Sequence, residues 1–205
     1  MAGDAASVGP RWLSGLPAGA SLVELIVVLG VVVTVGAMTT PLLASSVDAG
    51  RARQAAQYVA ALCRQARIEA VASSAAVAVV FDRDGVRWRL RRCQDGNGNG
   101  VRRAEITRGR DACVSASVDL TELFSGVSIA VDASVPDPDG GAGSSDAVRF
   151  GASDLASFAP TGTASSGTVF VRSMGGAQYA VRVAGVTGRT RVLRFEPARR
   201  QWIEV

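Results

Sequence analysis

The first hydrophobic pattern along the chain is an apolar run from Leu22 to Leu43, in which Glu24 is the only charged residue. A helix rises ~1.5 Å per residue, so roughly 20 residues cross the ~30 Å hydrocarbon layer of a bilayer. The run therefore predicts a transmembrane helix over residues 20–44. The alternatives are a secretory signal peptide, whose apolar region spans only about 7–15 residues, and the single anchor of a receptor or enzyme. Glu24 argues against a plain anchor, because a carboxylate within a membrane segment is costly and usually marks function.

The pattern then changes to apolar residues at helical spacing. Between residues 45 and 73 they form one alanine-rich stripe, made of Ala55, Val59, Leu62, Ala66 and Ala70. Four arginines lie mostly off this stripe: Arg51, Arg53, Arg64 and Arg67. An apolar stripe with charges elsewhere is typical of a helix that packs on another element. We therefore predict that the helix continues over residues 45–73 and packs on a sheet.

Beyond residue 73 the pattern becomes that of β-strands. The apolar run 76–81, a turn over Asp82–Gly85 and the strictly alternating segment 86–91 predict a hairpin with one buried and one arginine-bearing face. Further strands are predicted over residues 127–131, 147–150, 168–172, 179–183 and 191–195. The Pro/Gly/Asp/Ser segment 136–145 gives little reason to expect order. The predicted fold is α+β, with a long N-terminal helix packed on an antiparallel sheet domain over residues 74–205.

Composition narrows the function classes. The chain has 205 residues, a net charge of +4 and no histidine, and all its basic residues are arginines. Without histidine the commonest general base and metal ligand are missing, and the three cysteines form no CxxC pair, so a zinc site is not expected. The paired acids lie in turn or loop sequence without a partner base: Asp82 with Asp84, and Asp137 with Asp139. The sequence therefore does not predict an enzyme.

The junction before the apolar run carries a family resemblance. Residues 19–25 read GASLVEL, which resembles the prepilin peptidase site of type IV pilins and type II secretion pseudopilins. The resemblance implies that residues 1–19 are a leader cleaved after Gly19, and that Ala20 becomes the N-methylated first residue in place of the usual phenylalanine. Glu24 is then the fifth mature residue, which pairs with the amino group of a neighbouring subunit during assembly, and Pro41 corresponds to a helix kink.

The rest of the chain resembles one branch of that family. Residues 94–100, 158–169 and 179–192 are similar, in this order, to the GspH/FimT minor pilins and pseudopilins. The resemblance implies a minor pseudopilin of a type II secretion system, at or near the tip of a periplasmic pseudopilus that drives protein export. It implies a single-pass protein of the bacterial inner membrane with its globular domain in the periplasm. The implied partners are prepilin peptidase, other pseudopilins or pilins, the inner-membrane assembly platform and the lipid bilayer.

The cysteines gain meaning from that location. Cys93 and Cys113 bracket a glycine-rich loop, and a disulfide bond between them would hold the loop in an oxidising periplasm. Cys63 lies near the apolar stripe of the predicted helix and is more simply a buried thiol. A pairing that involves Cys63 is left open by the sequence.

The same loop contains a partial calcium motif. Asp95, Asn97 and Asn99 alternate and are followed by Gly100 in the sixth position, as in the first half of a calcium loop. The twelfth position is Ile106, where such a loop needs a bidentate glutamate. The alternative is a tight glycine-rich turn with asparagines in left-handed conformations. No other metal or cofactor is expected.

The C-terminal segment is rich in arginine. The candidates for DNA binding are Arg189, Arg191, Arg194, Arg199 and Arg200, with Trp202 close by. Such a row can bind phosphates without reading bases. FimT-like pilins of natural transformation bind DNA through a basic GRxR-type tail, so the resemblance implies an alternative function, a FimT-like minor type IV pilin that binds DNA. A solvated arginine face on an edge strand is the other interpretation.

Overall fold

The chain folds as an α+β protein with antiparallel sheets, which confirms the predicted fold class. The computed structural model describes the backbone of residues 21–205 and the side chains of residues 21–37 and 44–205. The helices are α1 (Leu22–Ser73), α2 (Arg103–Thr107) and α3 (Leu120–Leu123). The strands are β1 (Val77–Asp84), β2 (Arg87–Gln94), β3 (Ala112–Cys113), β4 (Val118–Asp119), β5 (Val127–Ile129), β6 (Val148–Arg149), β7 (Leu155–Phe158), β8 (Gly167–Ser173), β9 (Gln178–Val183), β10 (Thr190–Glu196) and β11 (Gln201–Glu204).

The boundary between two compact units falls between Leu43 and Ala44. In the first unit every described side chain of α1 is exposed, and the large apolar ones range from 73% exposed at Leu22 to 55% at Val28. Among the described residues, none of the helices has both the length and the apolar character that crossing a bilayer requires. The predicted leader 1–19 and the cleavage pair Gly19 and Ala20 lie outside the described residues. The side chain of Pro41 also lies outside them, so the kink stays a prediction.

The second unit buries the alanine-rich stripe of α1, as predicted. Ala55, Val59, Ala66 and Ala70 are fully buried, and Leu62 is half-buried. Further small side chains on this face are fully buried as well: Ala52, Ala56, Ala60 and Cys63. Small residues allow the helix backbone to approach the sheets closely. The four arginines that lie off the stripe are exposed, as expected for a one-sided helix.

Two antiparallel sheets share this core with the helix. One has the strand order β3-β2-β1-β7 with β4 also paired to β2, and the other has the order β11-β10-β9-β8-β5 with β6 also paired to β8. The largest fully buried side chains include Phe81 and Phe158 of the first sheet. Phe81 stacks on Phe150, with ring centroids 5.8 Å apart. Each such side chain contributes about 1.5–3 kcal/mol through burial.

The hairpin of β1 and β2 differs from the prediction at its turn. The turn is Gly85–Val86, so the predicted turn over Asp82–Gly85 is wrong, and both acids belong to β1. The reason is the positive charge of arginines on the opposite strand, since Asp82 forms an ion pair with Arg91 and Asp84 forms one with Arg89. Acids that have arginines as cross-strand neighbours are stabilised within a strand.

The segment 136–145 is held by specific contacts, contrary to the sequence expectation. Asp137 forms an ion pair with Arg149, and Asp139 forms one with Arg182. The indole Nε1 of Trp202 donates a hydrogen bond of 2.8 Å to the carbonyl oxygen of Pro136. Asp137 and Asp139, which were expected to be solvated, thus hold the segment to arginines of β6 and β9, two strands of the second sheet.

Candidate functional site

The N-terminal end of α1 carries the glutamate singled out by the sequence. Glu24 is exposed and lies in the first turn of α1, among exposed leucine, isoleucine and valine side chains. No ion pair joins Glu24 to another residue in the described part of the chain. An apolar helix with one carboxylate can contact lipid or other apolar helices, and the carboxylate can form an ion pair with a cationic group of a partner.

The loop after β2 is organised by the carboxylate of Asp95. Its oxygens accept hydrogen bonds from the backbone N–H groups of Asn97 (3.0 Å), Gly98 (2.9 Å) and Gly100 (2.7 Å). Burial raises the pKa of Asp95, but these backbone donors outweigh it, so the pKa lies below its ordinary value. The carboxylate oxygens that a calcium ion would use are therefore engaged by the loop itself.

The geometry is that of the glycine-rich turn. Gly98 and Gly100 adopt positive φ angles of 80° and 84°, whereas neither asparagine does, so the left-handed positions are taken by glycine alone. Within the residues that the structure describes, no group of three or more His, Cys, Asp or Glu residues is placed to hold a metal ion.

Two further buried acids support this loop, and neither role was predicted from the sequence. Asp111 accepts hydrogen bonds from the backbone N–H groups of Gly96 (3.2 Å) and Arg102 (2.9 Å). Glu105 accepts from Asn97 Nδ2 and from two arginines of its own segment, Arg108 and Arg110. The loop therefore has a polar interior in which carboxylates are satisfied mainly by nearby donors.

A disulfide bond between Cys93 and Cys113 closes the loop across β2 and β3, which is the pairing favoured from the sequence. Cys63 is free and fully buried. Burial raises the pKa of its thiol to about 12, a shift that nearby Arg64 opposes only in part. Since the thiolate is the reactive form, Cys63 is chemically inert in the folded protein.

The structure divides the five C-terminal arginines among three places. Arg191 lies on the face of β10 that points away from α1, and Arg189 lies one residue before the strand. Arg194 is on the opposite face of β10, the one that carries buried Val192. Arg199 and Arg200 belong to the turn between β10 and β11. The predicted arginine row is thus separated into the pair Arg189 and Arg191, Arg194 on the other face, and two arginines in a turn.

Arg189 and Arg191 border a cavity of about 450 Å³ together with Arg182, which lies outside the predicted arginine row. Each of these cations already has a carboxylate partner. Glu204 lies 3.4 Å from Arg189 and 3.7 Å from Arg191, and Asp139 pairs with Arg182. The cavity can receive a phosphate only in competition with these two acids.

Comparison with known proteins adds no family assignment: no family model, no curated protein and no solved structure matches the chain.

Proposed function

We propose that the protein is a minor pseudopilin of a type II secretion system, which assembles at or near the tip of a periplasmic pseudopilus. In this proposal residues 1–19 are removed by prepilin peptidase, and residues 20–44 anchor the chain in the bacterial inner membrane and later pack in the filament core. Residues 45–73 and the sheet domain 74–205 lie in the periplasm. The assembly platform and the other pseudopilins are its partners, and no catalytic role is proposed.

The observation that carries the proposal is the exposed apolar stretch of α1 with a carboxylate in its first turn. Eleven large apolar side chains between Leu22 and Val35 are each more than half exposed. Soluble monomers rarely expose an apolar surface of this extent, so it needs lipid or other subunits to cover it. In the sequence the apolar run continues to Leu43.

The second unit supports the same proposal. Its part of α1 buries only the stripe that faces the sheets, and it leaves the opposite side exposed, including Ile68 (69%) and Val71 (52%). A helix that is one-sided in the globular domain and apolar all round before it suits a subunit whose first half packs against copies or lipid. The disulfide between Cys93 and Cys113 suits an oxidising compartment such as the periplasm.

The experiment that tests the proposal replaces Glu24 in the full chain and follows incorporation into sheared filaments. Glu24→Ala and Glu24→Gln are expected to be cleaved and inserted normally but to be absent from the filament fraction, because the unpaired amino group of the neighbour would be costly in an apolar core. Thr34→Ala is the matched control, since Thr34 is a polar residue of the same helix whose hydroxyl donates a hydrogen bond to Gly30 O (2.7 Å) within that helix. Normal incorporation of Glu24→Ala would refute the proposal.

A second candidate is DNA binding by a FimT-like minor type IV pilin. The observation that favours it is the convergence of Arg182, Arg189 and Arg191 on one cavity. Phosphate contacts from arginines need no base readout, and their affinity falls with salt. The neutralising acids Glu204 and Asp139 weaken this candidate relative to the first, because a phosphate must displace them.

Retention of duplex DNA at physiological salt tests this candidate. The double variant Arg189→Ala/Arg191→Ala should lose retention. Its control is Arg87→Ala/Arg89→Ala, a pair at the same spacing that is comparably exposed and also faces carboxylates. Unchanged retention by the first variant, or an equal loss of retention in the control, would refute DNA binding through this surface.

A further inference from the structure

The part of α1 that packs on the sheets has an ordered set of residues on its opposite side. Six of its exposed residues lie within one sector of about 80° around the helix, and we call them the solvent face: Arg53, Gln57, Ala61, Arg64, Ile68 and Val71. Arg53 and Arg64 are separated by about three helical turns, and Val71 follows about two turns later, so the three project along one line. All six belong to the unit that begins at Ala44.

The solvent face carries cations but no carboxylate. Neither Arg53 nor Arg64 forms an ion pair with another described residue. The two acids of this part of α1 are engaged elsewhere. Asp48 accepts hydrogen bonds from the end of β8 and the turn after it, and Glu69 forms an ion pair of 2.8 Å with Arg92. Both guanidinium groups of the solvent face are therefore available to an external acid.

The charges beside the solvent face do not change its sign. Arg67 is exposed on one flank and donates a hydrogen bond of 3.3 Å to the carbonyl oxygen of Gly162, so it adds positive charge. The cavity beside Ala49 is lined by both Arg194 and Glu196, whose charges offset each other. The solvent face is therefore cationic together with its surroundings.

The solvent face also exposes aliphatic side chains in line with its arginines. Ile68 is 69% exposed and Val71 is 52% exposed. Nucleic-acid phosphates would pair with the arginines but would leave these two side chains in water. Protein interfaces, in contrast, combine apolar contacts with arginines. The combination favours a protein partner that supplies both carboxylates and an apolar surface.

A second copy of this chain does not fit that description. Its own solvent face would bring arginines and aliphatic side chains but no carboxylate, in either direction of packing. Elsewhere in the unit from Ala44 to Val205, Asp154 is the one described carboxylate that has neither an ion pair nor a hydrogen bond with another side chain or backbone group. Cations that lose water at an interface without a partner are costly. The fitting partner is therefore a different protein.

We propose that the solvent face of α1 binds an acidic amphipathic helix of a different protein. At ~1.5 Å per residue, Arg53 and Arg64 are about 16 Å apart along the helix axis. A partner helix that lies along α1 meets both arginines with two carboxylates about 11 residues apart. It covers Ile68 and Val71 with apolar side chains one and two turns beyond the second carboxylate. Charge complementarity of this kind selects the partner more than it adds affinity.

The partner helix belongs to another subunit of the pseudopilus, and in this respect the proposal rests on the proposed function. The solvent face then decides which subunit lies beside this one, because it accepts an acidic helix and rejects a second copy of the chain.

The test places a photo-crosslinking amino acid at Gln57 of the full chain, in the cells that make it. Gln57 lies on the solvent face between the two arginines. Mass spectrometry of the crosslinked product should identify a helix of a different protein, with carboxylates about 11 residues apart on the crosslinked side. A crosslink to a second copy, to DNA or to a segment without these carboxylates would overturn the proposal. So would the absence of any protein crosslink.

Charge reversal then tests the pairing itself. Arg64→Gln should lower the crosslink yield by about two- to fivefold, the contribution of one exposed ion pair. Arg64→Glu should lower it further, and replacement of the facing acid of the partner by arginine should restore it, which also shows that the variant is folded. Arg51→Glu is the matched control, because Arg51 is an exposed arginine of the same helix outside the solvent face. Equal losses in Arg51→Glu and Arg64→Glu, or no restoration, would overturn the proposal.

A binding measurement separates failure of this proposal from failure of the proposed function. It uses the full chain in detergent and a fluorescent synthetic peptide of the mapped helix, so it needs no filament. Peptide binding that weakens in Arg64→Glu, together with normal incorporation of Glu24→Ala, would refute the pseudopilin function and leave the docking face supported. Loss of incorporation in Glu24→Ala without peptide binding would refute only the docking face.

Discussion

Reduction of the disulfide between Cys93 and Cys113 should destabilise the folded protein by an amount that depends on the length of the loop that the disulfide closes. The two cysteines are 20 residues apart in the sequence. In the chain-entropy account, a closed loop of this length restricts the unfolded chain by about 11 cal/mol/K, which corresponds to about 3.3 kcal/mol at 25 °C. Reduction leaves both sulfur atoms in place, so it removes the cross-link with little change in packing.

The assay is urea unfolding of the full chain in detergent, with and without a phosphine reductant, followed by tryptophan fluorescence, to which Trp88 and Trp202 of the sheet domain contribute. For a domain of this size the free energy of unfolding falls by about 2 kcal/mol per molar urea. The expected loss therefore moves the midpoint down by roughly 1.6 M. The Cys63→Ala variant serves as the control, because its midpoint should shift by the same amount on reduction.

The result that would refute this reasoning is a midpoint shift below about 0.3 M, less than 0.6 kcal/mol. It would mean that the loop around Asp95 and Asp111 remains equally closed in the unfolded chain, or that the cross-link strains the folded one. A large shift that disappears in Cys63→Ala would instead show that the buried thiol, not the loop, responds to the reductant.

Three further predictions concern the acidic side chains Asp48, Asp95 and Glu204. Asp48→Ala should cost about 1.5–3 kcal/mol, because Ser173 and Gly175 lose a charged acceptor, and the amide of Gly175 should then exchange faster with solvent. The pKa of Asp95 is lower in the folded protein than in the unfolded chain. The stabilisation that the ionised carboxylate provides is therefore present above the unfolded pKa and is lost as pH falls through the folded pKa. Between neutral pH and about pH 3, the urea midpoint of Asp95→Asn should therefore fall by less than that of the wild type. If DNA binds at the cavity bordered by Arg182, Arg189 and Arg191, Glu204→Gln should strengthen retention of duplex DNA, because it releases both Arg189 and Arg191; unchanged retention would contradict DNA binding there.

The helix and the main strands were predictable because their signals are local. The stripe of Ala55, Val59, Ala66 and Ala70 follows the helical period, and the structure buries each of them. The strand predicted over 168–172 is extended by one residue at each end, to Gly167–Ser173, which is within the usual uncertainty of element boundaries. Periodicity reports the face of an element that is buried, and that information is contained in consecutive residues.

The rest depends on partners that are distant in the sequence. Asp48 contacts Ser173 across 125 residues, and nothing in the DAG sequence around it indicates an acceptor for a turn. The two-residue strands β3 and β4 exist because β2 is beside them, so no local pattern marks them. The arginines after Gly188 do not form one row because the side chains of a strand alternate, which puts Arg191 and Arg194 on opposite faces of β10. The sequence also does not show that Glu204 lies beside Arg191.

The burial of Cys63 has a consequence for the order of folding events. If the chain is exported to the periplasm as proposed, it arrives with three thiols, and Cys93 or Cys113 can form a wrong disulfide with Cys63 before α1 packs on the sheets. Once the alanine face of α1 packs on the sheets, Cys63 is withdrawn and only the native pair remains within reach. Packing of α1 on the sheets thus favours the native disulfide. A subunit in which α1 packs late would accumulate non-native disulfides with Cys63, which an isomerase must rearrange.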